Sequence, residues 1–220
     1  MKYIYAPGCA LMTYKPHIVE RLKVYVERKY GVMDTLLTCC FDKPALPNAT
    51  CVVTPCPTCA DAYNKMEGIT AVCFLNDIAN DDDFPFPDYR GMEMSIQDTC
   101  AARKQPEVLA SVRTLLERMN IRVIEPQFTG KKARCCGQIF YGKMDETKVV
   151  ANMKKRADEM PCSDVVVYCS SCIMSMTVGG RTPRFILDLL FGESTEMNAI
   201  TPTKWNNQLA VFRTTHRCTE

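Results

Sequence analysis

Ten of the fourteen cysteines repeat one five-member pattern. The first copy is Cys9, the adjacent pair Cys39 and Cys40, then Cys56 and Cys59. The second is Cys100, then Cys135 and Cys136, then Cys169 and Cys172. Each is a lone cysteine, a vicinal pair and a Cys-x-x-Cys. Thiolates are soft ligands that suit iron, zinc and iron–sulfur clusters. Two such groups imply two metal centres, or one centre and its decayed twin.

A vicinal pair aims two thiolates in different directions, which suits a cluster of several irons better than one tetrahedral ion. Five cysteines also exceed the four that a structural zinc takes. The cubane run C-x2-C-x2-C-x3-C-P is absent, so a ferredoxin-type cluster is not what these spacings encode. Buried packing thiols do not explain the repeated order. A metal-free dithiol relay through the two Cys-x-x-Cys pairs remains open, as does structural zinc. The relay leaves the lone cysteines and both vicinal pairs without a role.

The elements that must carry these loops also repeat. Pro16 aligns with Pro106, Ile18 with Val108, Leu22 with Val112, Val26 with Leu116 and Glu27-Arg28 with Glu117-Arg118, all at an offset of 90. Helical apolar spacing with proline near the start predicts equivalent amphipathic helices over 16–29 and 106–119. Short strands precede the lone cysteines, at 3–5 and 94–96. Apolar segments at Leu36-Leu37 and Val123-Ile124 precede the vicinal pairs. Buried strands at 52–54 and 165–167 run into each Cys-x-x-Cys. Helices are expected at 60–66, 173–176 and 183–191.

The offset grows from 91 at the lone cysteine to 96 at the pair and 113 at the Cys-x-x-Cys. The second copy therefore carries 17 extra residues there, with a charged helix expected over 145–160. The first copy has only FDKPALPNAT, with two prolines and no room for a helix.

Alternation of strands and helices predicts an α/β fold of two pseudo-symmetric, Rossmann-like halves with parallel sheets. Their cysteine loops would sit at strand ends, at the interface of the halves. The expected division is 1–90, 91–197 and a C-terminal extension, 198–220. The tail, with Trp205 and the run 209–212, has no counterpart in the repeat and could dock on the body or on a partner.

Composition is that of an ordinary globular chain, 47% hydrophobic and 24% charged, with a net charge of +2. No long basic block marks a nucleic-acid footprint. Asp81 to Asp83 reads as a solvated loop. No apolar run reaches the roughly 18 residues of a membrane span, and the N-terminus is too soon broken by Pro7 and Gly8 for a signal peptide. A cytoplasmic location is expected, where structural disulfides are rare. No G-x-G-x-x-G marks a flavin or nicotinamide site.

Cys51, Cys73, Cys162 and Cys218 read as packing or surface residues, and His17 and His216 as structural. Methionines read as core fillers, although Met174 and Met176 could line a pocket near Cys172. Arg103, Lys104 and Arg134, beside ligand cysteines, are either solvated or placed to balance cluster charge or bind an anionic substrate.

With these residues the chain resembles the cysteine-rich CCG domain family, which includes the B-type component of heterodisulfide reductase and similar iron–sulfur oxidoreductases. The segments DTCAARKQPE, RCCGQIFYG, VVVYCSSC and ILDLLFG carry the likeness, which spans roughly residues 1–195. The resemblance implies a non-cubane [4Fe–4S] cluster on each five-cysteine set. It implies catalytic redox chemistry through Cys100, Cys135, Cys136, Cys169 and Cys172, reducing a disulfide or another small acceptor. Electrons would come from an iron–sulfur or flavin subunit. The first copy departs from the pattern: Phe41 replaces glycine, and only 15 residues separate Cys40 from Cys56. Its site could be more open, hold zinc, or hold no metal. The alternative is a non-catalytic, metal-stabilised interaction module of a larger complex.

Overall fold

The computed structural model describes residues 2–198 and 200–216. In chain order the elements are β1 (Lys2–Tyr5), α1 (Cys9–Tyr14), α2 (Pro16–Tyr30), β2 (Asp34–Thr35), β3 (Thr50–Thr54), α3 (Pro57–Tyr63), β4 (Ile69–Cys73) and α4 (Leu75–Ala79). Then come β5 (Met92–Gln97), α5 (Pro106–Arg118), β6 (Ile121–Ile124), α6 (Glu146–Asp158), β7 (Asp164–Val167), α7 (Ser170–Val178), β8 (Thr182–Phe185), α8 (Ile186–Leu190) and α9 (Pro202–Thr215). Short 3-10 turns at Cys40–Asp42, Cys100–Lys104, Gly130–Lys132 and Gln138–Phe140 lie in or beside the cysteine loops.

Among the described residues the strands form two four-stranded, all-parallel sheets, ordered β2-β1-β3-β4 and β6-β5-β7-β8. The expected α/β architecture of two like halves is thus present. The chain divides into two compact units. The first runs to Asp77 and resumes at Asn207; the second is Ile78–Asn206.

Each sheet is built from the residues that can stand burial on both faces. Every residue of β3, Thr-Cys-Val-Val-Thr, is buried, and Val165 to Val167 of β7 are inaccessible. β-branched side chains covered on both faces are the usual content of parallel strands. Helices α2 and α5 begin at proline, whose missing N–H is no loss in the first turn. Helix α2 buries Ile18, Val19, Leu22, Tyr25 and Val26; α5 buries Val108, Leu109, Val112, Leu115 and Leu116. Each such side chain contributes about 1.5–3 kcal/mol on burial. Helix α2 stops at Gly31, at φ 87, and the chain turns at Asn120, at φ 54, after α5.

The structure shifts several sequence boundaries. The helix expected over 183–191 is strand β8 followed by the short helix α8. Pro183 fits there because β8 is an edge strand, paired only with β7. β4 and α4 are the matching pair in the first unit: Ile69 and Thr182, which open β4 and β8, keep the offset of 113. β2 lies just before Leu36-Leu37, and the Leu36 N–H still donates to Tyr5 O at 2.7 Å. α3 starts earlier than expected because Pro57 opens it, so Cys59 lies inside the helix. The inserted helix is α6, and the corresponding stretch of the first unit holds one 3-10 turn and no α-helix.

Candidate functional site

In the first sheet the chain winds outward from β1 to β2, then returns to place β3 on the other side of β1; β5, β6 and β7 repeat this in the second. The carboxyl ends of β1 and β3 therefore flank a topological switch point, the usual ligand crevice of an open parallel sheet. Cys9 follows β1, and Cys56 follows β3 as the residue before α3. Cys100 and Cys169 occupy the same places after β5 and β7. The vicinal pairs come in from the loops after β2 and β6.

In the first unit Cys9 Sγ meets Cys39 Sγ at 3.4 Å, and Cys40 Sγ meets Cys59 Sγ at 3.4 Å. Cys39 also contacts Cys40, and Cys59 contacts Cys56. The sulfurs thus form a string, 9–39–40–59–56. The second unit gives the same string, 100–135–136–172–169. Gly8, just before Cys9, stands at φ 88, a backbone conformation that side chains other than glycine's rarely adopt.

The second member of each string, Cys39 or Cys135, is the natural first thiolate. Cys39 is held far below the usual thiol range, chiefly by its bonds from Cys40 and Cys9. Cys135 is lowered in the same way by Cys100 and Cys136. The neighbours move the other way. Cys9 and Cys40 are raised by the bond to Cys39, and Cys100 and Cys136 by the bond to Cys135, with burial adding to each. Cys59 is pushed up by Cys40, and Cys172 by Cys136. Five thiols packed against one another cannot all ionise, whereas a bound metal would supply positive charge at their centre.

The surroundings of the two sets differ. The first set sits in an apolar cluster with Ala6, Val52, Tyr63 and Ile69. The end of α9 adds polar contacts: Arg213 pairs with Asp42, and Thr38 Oγ donates to His216 O at 3.1 Å. Arg213 also helps lower Cys39. The first site is not the more open one. Cys9 is half-buried and Cys39 buried, while Cys100 is exposed and Cys135 half-buried.

The second set hangs on a buried polar frame. Asp98, with no exposed surface, accepts from Arg113 Nη1 at 2.7 Å and Nη2 at 2.8 Å. It also accepts from Tyr168 at 2.7 Å, Thr129 at 3.0 Å and the Gly130 N–H at 2.6 Å. Burial alone pushes its carboxyl up, but the Arg113 bonds and charge outweigh that and hold it below the usual range. Gln97 Nε2 donates to Arg134 O at 3.0 Å, and buried Arg156 donates to Gln97 Oε1 at 2.6 Å. The residues beside Cys100, Cys135 and Cys169 are thus tied into one network. Trp205, 1% exposed, donates to Ser171 Oγ at 3.0 Å, inside the Cys-x-x-Cys turn.

Sequence reading missed this frame. Its only trace is a contrast between copies: where the second has Gln97, Asp98 and Tyr168, the first has Ala6, Pro7 and Pro55.

The glycine of the second vicinal motif has a steric cause. Gly137 stands at φ 102, and a Cβ there would meet Met153 Cγ at 2.7 Å and Met153 N at 3.0 Å. Helix α6 imposes that contact. The first unit has no such helix, and Phe41 takes the position with its side chain 65% exposed.

Of the remaining candidates, Cys51 and Cys73 are buried and Cys162 is half-buried; Cys218 lies outside the described residues. His17 is exposed, and His216 stacks on Phe212 with ring centroids 4.0 Å apart. Met174 and Met176 are fully buried core residues. Arg103 and Arg134 line a cavity beside Cys135, and exposed Lys104 does not. Among the described residues, no group of three or more His, Cys, Asp or Glu side chains is arranged to hold a metal ion. The sulfurs are drawn into strings of bonded thiols rather than spread around a point. Ligation takes deprotonation and rotation about χ1. The donor set fits in kind: ten soft sulfurs in two like groups of five. Among the described residues no helix is long and apolar enough to cross a membrane.

Residues 94–177 match the family model of the cysteine-rich domain, CCG. The matched stretch holds all five cysteines of the second set. No curated protein matches the chain. Among solved structures, the chain is similar to glutamate racemase from Campylobacter jejuni subsp. jejuni. That likeness has a TM-score of 0.38 and 10% identity over 99% of this chain and 100% of the other.

Proposed function

We propose that the protein is an iron–sulfur redox component that passes electrons to a disulfide or another small acceptor. The observation that carries this reading is the repeated string of five thiols, in the same order, at the switch point of each sheet. Cys100, Cys135, Cys136, Cys169 and Cys172 would hold one non-cubane [4Fe–4S] cluster, and Cys9, Cys39, Cys40, Cys56 and Cys59 a second cluster or zinc. When bound, such a cluster supplies one-electron chemistry and an iron that can take a substrate sulfur. The chain's own groups set the conditions. Cys100 leaves the second site open to a small molecule. The Asp98 frame fixes the loops that carry Cys100, Cys135 and Cys169. The N-terminal N–H groups of α7 face the Cys-x-x-Cys turn, where they stabilise negative sulfur. Electrons come from a partner protein carrying iron–sulfur or flavin groups.

The test is absorption and EPR spectroscopy of anaerobically purified protein, with Cys135→Ser and Cys172→Ser beside Cys51→Ser. The expected result is an iron–sulfur signal weakened by the first two variants and kept by the third. A colourless protein holding only zinc overturns the redox reading. The direct sulfur contacts of 3.4 Å also favour a second reading, a metal-free dithiol relay. That reading predicts ten motif thiols titratable without removal of iron.

A further inference from the structure

The second unit contains a cavity of about 540 Å³, the size of a small-molecule site. Cys135 and Phe140 form part of its wall. Six cations line it, Arg103, Lys131, Lys132, Arg134, Lys155 and Arg156, against one carboxylate, Glu159. The whole chain has a net charge of only +2, so this is a focus of positive potential.

Two of the six cations are already committed. Arg134 and Arg156 share Glu159, and Arg156 also serves Gln97 and Phe128 O. The other four, Arg103, Lys131, Lys132 and Lys155, make no ion pair among the described residues. Arg103 Nε is buried without a hydrogen-bond partner, a donor left unsatisfied unless a ligand completes it. Like charges gathered around one concave space repel one another and are stabilised by an anion of more than one charge.

We propose that this cavity binds a small molecule bearing at least two negative charges on phosphate, sulfonate or carboxylate groups, with Arg103, Lys131, Lys132 and Lys155 as its anchors. The cavity wall at Cys135 brings such a ligand against the second thiol set. The ligand would therefore be the acceptor of the proposed redox reaction, and that assignment alone rests on the redox reading. Anion binding itself does not.

The experiment is calorimetric titration of the full chain, purified without oxygen, with inorganic pyrophosphate and with citrate at low salt. Saturable binding at one site per chain is expected, weaker as salt rises. Arg103→Gln, Lys131→Gln and Lys155→Gln should each weaken it by about tenfold, the loss of one charge-assisted bond. Lys154→Gln, the neighbour of Lys155 outside the cavity lining, should leave it unchanged. Should Arg103→Gln fail to fold, exposed Lys131 carries the same test. A preference for either probe supports the proposal and names the anionic group. No saturable binding, or affinity indifferent to all three variants, overturns it. So does a single-stranded oligonucleotide that binds more tightly and displaces pyrophosphate, which would make the surface a nucleic-acid groove. Iron-free protein that binds pyrophosphate would end the redox reading and leave this site standing; iron-loaded protein that binds neither probe does the reverse.

Discussion

Replacing Asp98 by asparagine keeps the shape of the side chain and removes its charge. Both carboxylate oxygens accept from Arg113, and they also take Tyr168 on one side, Thr129 and the Gly130 N–H on the other. Either rotamer of the amide therefore points an NH2 group at donors. Breaking a buried pair by removing one partner costs about 3–5 kcal/mol. Arg113 is 28% exposed and keeps its bonds to Glu125, so the lower end applies, about 3 kcal/mol. The assay is urea unfolding followed by the fluorescence of Trp205, the chain's single tryptophan, which lies in the second unit. The pH dependence gives a second check. Asp98 titrates below its unfolded value, so its stabilisation is fully present above about pH 4 and is lost as pH falls through the lowered folded pKa. The gap between wild type and Asp98→Asn should then be widest at neutral pH and narrow in acid. A loss under about 1 kcal/mol at pH 7, or a gap that stays constant down to pH 3, would refute the assigned role of Asp98.

The other predictions concern packing and signal. Gly137→Ala should destabilise the second unit by about 2–4 kcal/mol, from the left-handed backbone and the clash with Met153, while Phe41→Ala should change stability by less than about 0.5 kcal/mol. Leu116→Ala and Leu22→Ala, both fully buried, should each cost about 2–5 kcal/mol in chemical denaturation. Trp205 donates to Ser171 between Cys169 and Cys172, so removing iron should change its emission in wild type and in Cys9→Ser alike; an unaltered spectrum would show the second set empty of metal.

Much of this was legible in the cysteine order and in the helices that repeat at constant offset. Pro16 and Pro106 mark two helix starts, and the β-branched runs at 52–54 and 165–167 mark the central strands. The short pairs β4–α4 and β8–α8 were harder. Pro183 and the mixed apolar spacing of 185–190 fit neither period cleanly, and edge strands are set by their neighbours rather than by pattern. The polar frame around Asp98 left no spacing signal, because its members come from distant segments joined by tertiary folding. The glycine after Cys136 was visible, but its reason was not. Only the approach of Met153 on α6 explains why the second copy needs Gly137 and the first tolerates Phe41.

The most direct measurement of the central idea is iron and inorganic sulfide content of oxygen-free protein, for wild type and for serine variants of each set. Iron with matching sulfide in wild type, reduced by Cys135→Ser and Cys172→Ser and untouched by Cys73→Ser, is the expected outcome. Protein without iron or sulfide, with all ten motif thiols free to react, would contradict it.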